Sequence, residues 1–285
     1  MQMTLHDIIA DSVKRLAQVY DTREARNIIE LAIENIKGWT RVDVIINSDK
    51  EMTEFFTEKL NRIISRLLCH EPIQYILGET YWHGLTLKVG PGVLIPRPET
   101  SQLVDLIVDE NKQTDLRVLD LCTGSGAIAL ALSRSLKFAD ITGVDISETA
   151  LEIATENNTR LNTSVEFIKA NALSQLPFSD NDFNIIVSNP PYICEREKYD
   201  MKANVLEYEP GLALFVPDDD PMQFYRPIAQ NGFRVAASGG RIYLEINPLY
   251  SDSIKCTLAE AGWEDVTIIT DMYGKRRFAK AIKGK

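Results

Sequence analysis

The sequence predicts a doubly wound α/β domain: a mostly parallel seven-stranded sheet with an antiparallel C-terminal edge hairpin. A small helical bundle precedes it. Three observations predict this. From about residue 100, short β-branched runs alternate with helical stretches, the pattern of a parallel sheet covered on both faces. The last two runs, "DVTIIT" and "RRFAKAI", are separated by only "DMYGK", too short for a right-handed crossover, so they pair antiparallel. The first 75 residues carry their apolar side chains at helical spacing instead.

In chain order, Leu5, Ile8, Ile9, Val13, Leu16 and Tyr20 share one helical face. "DTREARNIIELAIENIKG" follows, with Asp21 or Thr22 as N-cap, an apolar face of Ala25, Ile28, Ile29, Ala32, Ile33 and Ile36, and Gly38 as stop. A third run holds Phe55, Phe56, Leu60, Ile63, Ile64, Leu67 and Leu68 and ends before Pro72. Such helices bury their apolar faces against one another, as a bundle over residues 1–75. Residues 76–98 read as a β-hairpin connector turning around Gly90-Pro91-Gly92 and closing on Pro96-Arg97-Pro98-Glu99. Residues 99–285 form the α/β domain. Its strands are "RVLDL", "ITGVDI", "VEFIKA", "FNIIVS" and "RIYLEI", then the terminal pair. Helices "AIALALSRSL" and "ETALEIATENNTRL", another over about 222–237 and one ending near Gly262 lie between them.

The composition narrows the function. With 285 residues and 45% hydrophobic content the chain buries a core without crosslinks. The formal net charge is -10, from 41 acidic and 31 basic side chains, so a broad nucleic-acid-binding face is not expected. Cys69, Cys122, Cys194 and Cys256 are scattered, with no C-x-x-C pair, which suggests neither a zinc site nor a disulfide framework and fits a reducing cytoplasm. The N-terminus is amphipathic and acidic from Asp7, unlike a signal peptide, and no apolar run approaches the ~20 residues that span a bilayer.

An open sheet of this kind binds ligands at the carboxyl ends of its strands. The first strand runs into "DLCTGSGAIAL", where a Gly124-Ser125-Gly126 turn opens a helix and lets backbone N–H groups approach a ligand. Alone, such a turn is also what any tight strand-to-helix junction needs. The second strand ends in Asp145, about 20 residues on, where a carboxylate accepts both ribose hydroxyls. Together they point to an adenosine-containing ligand; a Walker lysine is absent, which leans away from ATP. After the third strand, Asn171 and Ala172 can meet an adenine edge and face. After the fourth come Asn189-Pro190-Pro191-Tyr192.

An Asn amide and a rigid proline carbonyl give two acceptors for the two hydrogens of one planar –NH2 group, and Tyr192 offers a face to pack on it. That suits an amide or an aromatic amine, glutamine or adenine. Such a nitrogen is a poor nucleophile because its lone pair is delocalised. Hydrogen bonds to both N–H groups turn it toward sp³ and accommodate the charge that develops as it takes a methyl group. No general base is needed first, so it is no obstacle that His6, His70 and His83 all lie outside the α/β domain.

"DLCTGSG", "GVDIS", "KANALS" and "SNPPYI" resemble the motifs of class I S-adenosylmethionine-dependent methyltransferases. "LIPRPET", "YEPGLALF" and "DMYGKRRFAKA" are similar to the release factor glutamine methyltransferases, the HemK/PrmC family. The resemblance covers nearly the whole chain. It implies a Rossmann-like fold and methylation of the glutamine in the Gly-Gly-Gln motif of peptide chain release factors. The cofactor would be S-adenosyl-L-methionine, leaving S-adenosyl-L-homocysteine. It implies that Cys122, Thr123, Gly124, Ser125 and Gly126 line the methionine part of the cofactor, that Asp145 binds the ribose, and that Asn171 and Ala172 lie by the adenine. Ala172 stands where the family often has an aromatic residue. Asn189, Pro190, Pro191 and Tyr192 would hold the glutamine amide, Asn189 also facing the cofactor, and the bundle would help dock the release factor. The implied protein is a cytoplasmic monomer with no membrane, metal or nucleic-acid partner. Two departures stand out: "EINPLYS", with Asn247 and Pro248, where the family has Glu-x-Gly-x-x-Gln, and "RPETS" for "RPETE".

Three alternatives stay open. An N(6)-adenine methyltransferase acting on DNA or RNA shares Asn-Pro-Pro-Tyr but needs a basic face, and residues 1–75 hold 10 basic against 12 acidic side chains. The tail from Lys275 is basic, as a solvated edge strand also is. A glutamine methyltransferase acting on a ribosomal protein would read much the same. A cofactor-binding protein without activity is disfavoured by the intact Asn189 and Tyr192.

Overall fold

The helical spacing of the first residues is realised as helices whose ends are set by capping side chains. The computed structural model describes residues 3–284. Thr4 caps α1 (Leu5–Leu16). Asp21 caps α2 (Thr22–Lys37), accepting from the N–H groups of Arg23 and Glu24 at 2.9 Å, and Gly38 ends it at φ +69°. Thr40 and Asp43 form a capping box on α3 (Arg41–Ile46). Thr53 caps α4 (Glu54–Leu68), and α5 (Ile73–Leu77) runs from Pro72 to Gly78. The third and fifth helices are too short for periodicity to reveal. Leu5, Leu16, Ile29, Ile33, Phe56, Leu60, Ile64 and Leu67 are the buried centre of this unit. Ile9, Val13, Tyr20 and Ile36 pack at its margin. Phe55 sits off the core face of its helix and is exposed, as are Val42, Ile45 and Ile46 of α3.

A hairpin of β1 (Glu79–Trp82) and β2 (Leu85–Lys88) follows. Its turn is not Gly90-Pro91-Gly92, as the sequence reading expects, but His83-Gly84. Both of these have positive φ, +47° and +74°, the geometry that a two-residue turn between twisted strands requires. Gly90–Gly92 instead leads the chain out of the second strand.

The α/β part then alternates: α6 (Pro98–Glu110), β3 (Arg117–Leu121), α7 (Ala127–Ser135), β4 (Asp140–Asp145), α8 (Glu148–Leu161), β5 (Glu166–Lys169) and β6 (Phe183–Ser188). A short parallel pair, β7 (Ile193–Cys194) with β8 (Phe215–Val216), brackets an excursion that carries α9 (Ala203–Tyr208). The chain closes with α10 (Tyr225–Val235), β9 (Ala236–Glu245), α11 (Ser251–Glu260), β10 (Trp263–Thr270) and β11 (Arg276–Lys283). The seven-stranded sheet has the order β10-β11-β9-β6-β3-β4-β5, and β11 is antiparallel to both its neighbours. Alternate residues serve the two faces. Val118, Ile185, Val187 and Tyr243 enter one core with α6 and α7, while Leu119, Leu121, Ile186, Ile242 and Leu244 enter the other with α10 and α11.

Register sets the site. Leu121 pairs with Val144 and Ser188, Asp145 with Lys169, and Ser188 with Leu244, so five strand ends share one rim. Antiparallel pairing of Phe278 with Glu245 brings the start of β11 there too. The chain packs as two units. One runs through Glu79 and takes up Lys202–Tyr208; the other holds Thr80–Met201 and continues from Glu209.

Candidate active site

The turn after β3 bends through three left-handed residues, Cys122, Gly124 and Gly126 (φ +61°, +55° and +80°). At Gly126, which caps α7, a Cβ would lie 2.9 Å from the Phe167 ring, so only glycine lets the turn pack this closely. Asp145 is tied to this turn: its Oδ2 accepts from the Gly124 N–H and its Oδ1 from the Ser147 N–H, both at 2.9 Å. Burial pushes its carboxyl up from the usual carboxylate range, and those backbone donors oppose the shift. Each oxygen keeps a second lone pair, the acceptor pattern that a vicinal diol matches. Deeper, the fully buried Asp120 accepts from Thr123 Oγ1 (2.6 Å) and the Ala129 N–H (3.2 Å) through Oδ2. Its Oδ1 has no partner, and burial raises its pKa to about 7. Burial likewise pushes the Cys122 thiol up, so it stays protonated and inert. Asn171 accepts from the Leu173 N–H at 2.9 Å, which leaves its NH2 to donate.

At the end of β6 the chain enters Asn189-Pro190-Pro191-Tyr192. Asn189 Nδ2 donates to Thr100 Oγ1 at 3.4 Å, and Thr100 Oγ1 donates to Glu245 Oε2 at 2.7 Å. The Tyr192 hydroxyl donates to Glu245 Oε1 at 3.1 Å. Thr100 and Glu245 are buried, at 4% and 1% exposure. Burial pushes the Glu245 carboxyl up, while Thr100, Tyr192 and the nearby Arg277 guanidinium hold it down. Burial first, then the Glu245 charge, push the Tyr192 phenol up, so it stays protonated and donates. Arg277 is itself held by Asp271 at 3.2 Å. Asn247 donates to the Tyr192 carbonyl at 3.0 Å and to Glu197, which accepts from the Cys194 N–H. The unusual "EINP" segment is thus a strut under the Asn-Pro-Pro-Tyr turn.

One cavity of ≈ 230 Å³ opens on this rim. Among the residues the sequence singles out, Cys122, Thr123, Gly124, Ser125, Asp145, Asn171, Ala172, Asn189 and Pro191 line it. Gly126, Pro190 and Tyr192 do not line it: Pro190 is buried, and the Tyr192 hydroxyl is engaged by Glu245. Leu94, Pro96, Leu212 and Phe224 complete the walls. The donor set fits an adenosine-bearing ligand: a diol-matching carboxylate, an amide NH2, a glycine turn and apolar walls.

Sequence reasoning misses Thr100, Glu245, Arg277 and Glu209. The signal for Glu245 is its place at a fifth strand end, but nothing local marks an acid there as a hydrogen-bond hub. The pair Arg97–Glu209 (Nη2–Oε1, 2.7 Å) ties "LIPRPET" to "YEPGLALF", and Glu209 also accepts from the Ile95 N–H at 3.1 Å.

Two family models match: a methyltransferase domain over residues 118–206 and the PrmC N-terminal domain over residues 7–78. Curated relatives named release factor glutamine methyltransferase include that of Bacteroides thetaiotaomicron, 42% identical over 93% of this chain and 95% of that one. Those of Flavobacterium psychrophilum (37%, covering 94% and 95%) and Streptococcus pneumoniae (39%, covering 81% and 85%) carry the same name. Among solved structures, a methyltransferase from Pyrococcus furiosus superposes with a TM-score of 0.52 at 20% identity, over 79% of this chain and 99% of that one, a likeness of fold.

Proposed function

The chain belongs to the release factor glutamine methyltransferase family, and we propose that Asn189 and the Pro190 carbonyl grip the amide of its substrate glutamine. It methylates the side-chain amide nitrogen of that glutamine in peptide chain release factors, at the Gly-Gly-Gln motif in our reading. S-adenosylmethionine, when bound, supplies the electrophilic methyl group.

The protein's own groups bind and orient. Asp145 accepts the ribose hydroxyls, Asn171 donates to the adenine edge, and the Cys122–Gly126 turn borders the methionine part. Asn189 Oδ1 and the Pro190 carbonyl each take one amide hydrogen, which fixes the nitrogen and favours the charge that grows on it. The extra proton becomes acidic only as that charge grows, so it can pass to solvent without a preset base. The Tyr192 hydroxyl is held by Glu245, and the Tyr192 ring is proposed to pack on the glutamine amide.

The observation that carries this reading is the convergence of four strand ends, those of β3, β4, β5 and β6, on one cavity that holds both Asp145 and Asn189. The helical unit is the proposed docking element for the release factor, supported by exposed Val42, Ile45, Ile46 and Phe55. Acidic balance supports a protein rather than a nucleic-acid substrate. Four free cysteines support a cytoplasmic setting, and no helix among the described residues is long and apolar enough to cross a membrane. One chain supplies every group invoked, which supports a monomer. The test is to incubate the protein with radiolabelled cofactor, purified release factors, ribosomal protein and nucleic acid, then map the label. Label on the Gly-Gly-Gln glutamine is the expected result; label on adenine or on the ribosomal protein overturns the reading.

A further inference from the structure

An asparagine amide is ambiguous: rotated by 180°, it presents NH2 where its carbonyl oxygen stood. The grip on a substrate –NH2 works only with the oxygen outward, so something must set the orientation. Thr100 has one hydroxyl proton, and Glu245 Oε2 takes it at 2.7 Å. The Tyr192 hydroxyl donates to Glu245 Oε1, so both oxygens of that side chain are taken as acceptors. With its proton committed to a carboxylate, Thr100 Oγ1 turns a lone pair toward Asn189. Only the NH2 end of Asn189 can satisfy a lone pair; its carbonyl oxygen there would be repelled. The Asn189–Thr100 distance of 3.4 Å is long, as such contacts are before substrate tightens them.

Resting on the proposed grip, we infer that Thr100 and Glu245 are positioning residues: a one-way hydrogen-bond relay, Asn189 to Thr100 to Glu245, points the Asn189 carbonyl oxygen at the substrate amide. The relay explains why a buried acid that touches no ligand stands at the end of β9 and why a threonine opens α6. Both are reached only through contacts far apart in sequence.

The test is a double-mutant cycle read in steady-state methylation of purified release factor. Thr100→Val keeps shape and removes the hydroxyl. It should lower kcat about 10- to 100-fold, with release factor KM and cofactor Kd within about twofold. In an Asn189→Ala background the same change should alter kcat less than about twofold, because Thr100 acts through Asn189. Thr100→Ser should recover most of the turnover. An unchanged kcat for Thr100→Val, or an equal loss in both backgrounds, overturns the relay. If the wild-type protein labels a different planar amine, the glutamine reading falls. The cycle then reads the relay on that amine.

Discussion

Asn189 has two polar ends, and the protein engages one of them. If the free end grips the substrate, Asn189→Ala should cost ~2–4 kcal/mol of barrier, a loss of about 30- to 900-fold in kcat, as for one oriented hydrogen-bonding group. Cofactor affinity by calorimetry should change little. Asp145→Ala should do the reverse and weaken cofactor binding about 10- to 100-fold, read by the same titration. Nine of the lining residues were legible in the sequence because they stand at or just past strand ends, and strand ends are where such sheets bind. Thr100, Glu245 and Arg277 were not. Their roles come from a pairing between residues 145 positions apart, and no local pattern encodes that. Tyr192 shows the same limit: the sequence gives a ring beside a polar turn, while the fold decides where its hydroxyl goes.

At the scale of elements, the connector before α6 is held by a nearly buried acid. Glu209 has a side chain exposed to 1%, against 33% for Arg97. Arg97→Ala leaves that carboxylate with only the Ile95 N–H, and should destabilise the protein by about 2–3 kcal/mol, less than for a fully buried pair. Urea unfolding would measure this. Replacing both by apolar residues, Arg97→Met with Glu209→Leu, should recover much of the loss, since neither charge is then stranded. The long helices and the parallel strands were predictable because their period repeats over several turns or alternates with helices. The misplaced hairpin turn has a plain cause: Gly-Pro-Gly is a louder turn signal than His-Gly. Yet Gly84 and a histidine that tolerates positive φ satisfy the two-residue geometry.

For the whole molecule, Asp120 makes stability depend on pH. Its pKa rises from 3.8 to about 7 on folding because burial penalises the charge. The folded state therefore binds the extra proton, and stability falls as pH climbs from about 4 through 7. The penalty at pH 8 is up to ~4 kcal/mol. Asp120→Asn should lift the melting temperature more at pH 8 than at pH 5; an equal shift at both would rule out the titration of Asp120 as the cause. Lys202–Tyr208 carries a consequence of another kind. Lys202 reaches Glu24 at 3.5 Å and the Tyr208 hydroxyl donates to the Cys69 carbonyl at 2.6 Å, so this stretch is built into the helical unit. That unit is therefore written in two separated blocks of the gene. A crossover near codon 80 between two relatives would deliver a bundle from one parent and its last helix from the other. Such hybrids inherit a mismatched seam, so the proposed docking of the protein substrate on this unit should descend through point changes more readily than through domain shuffling.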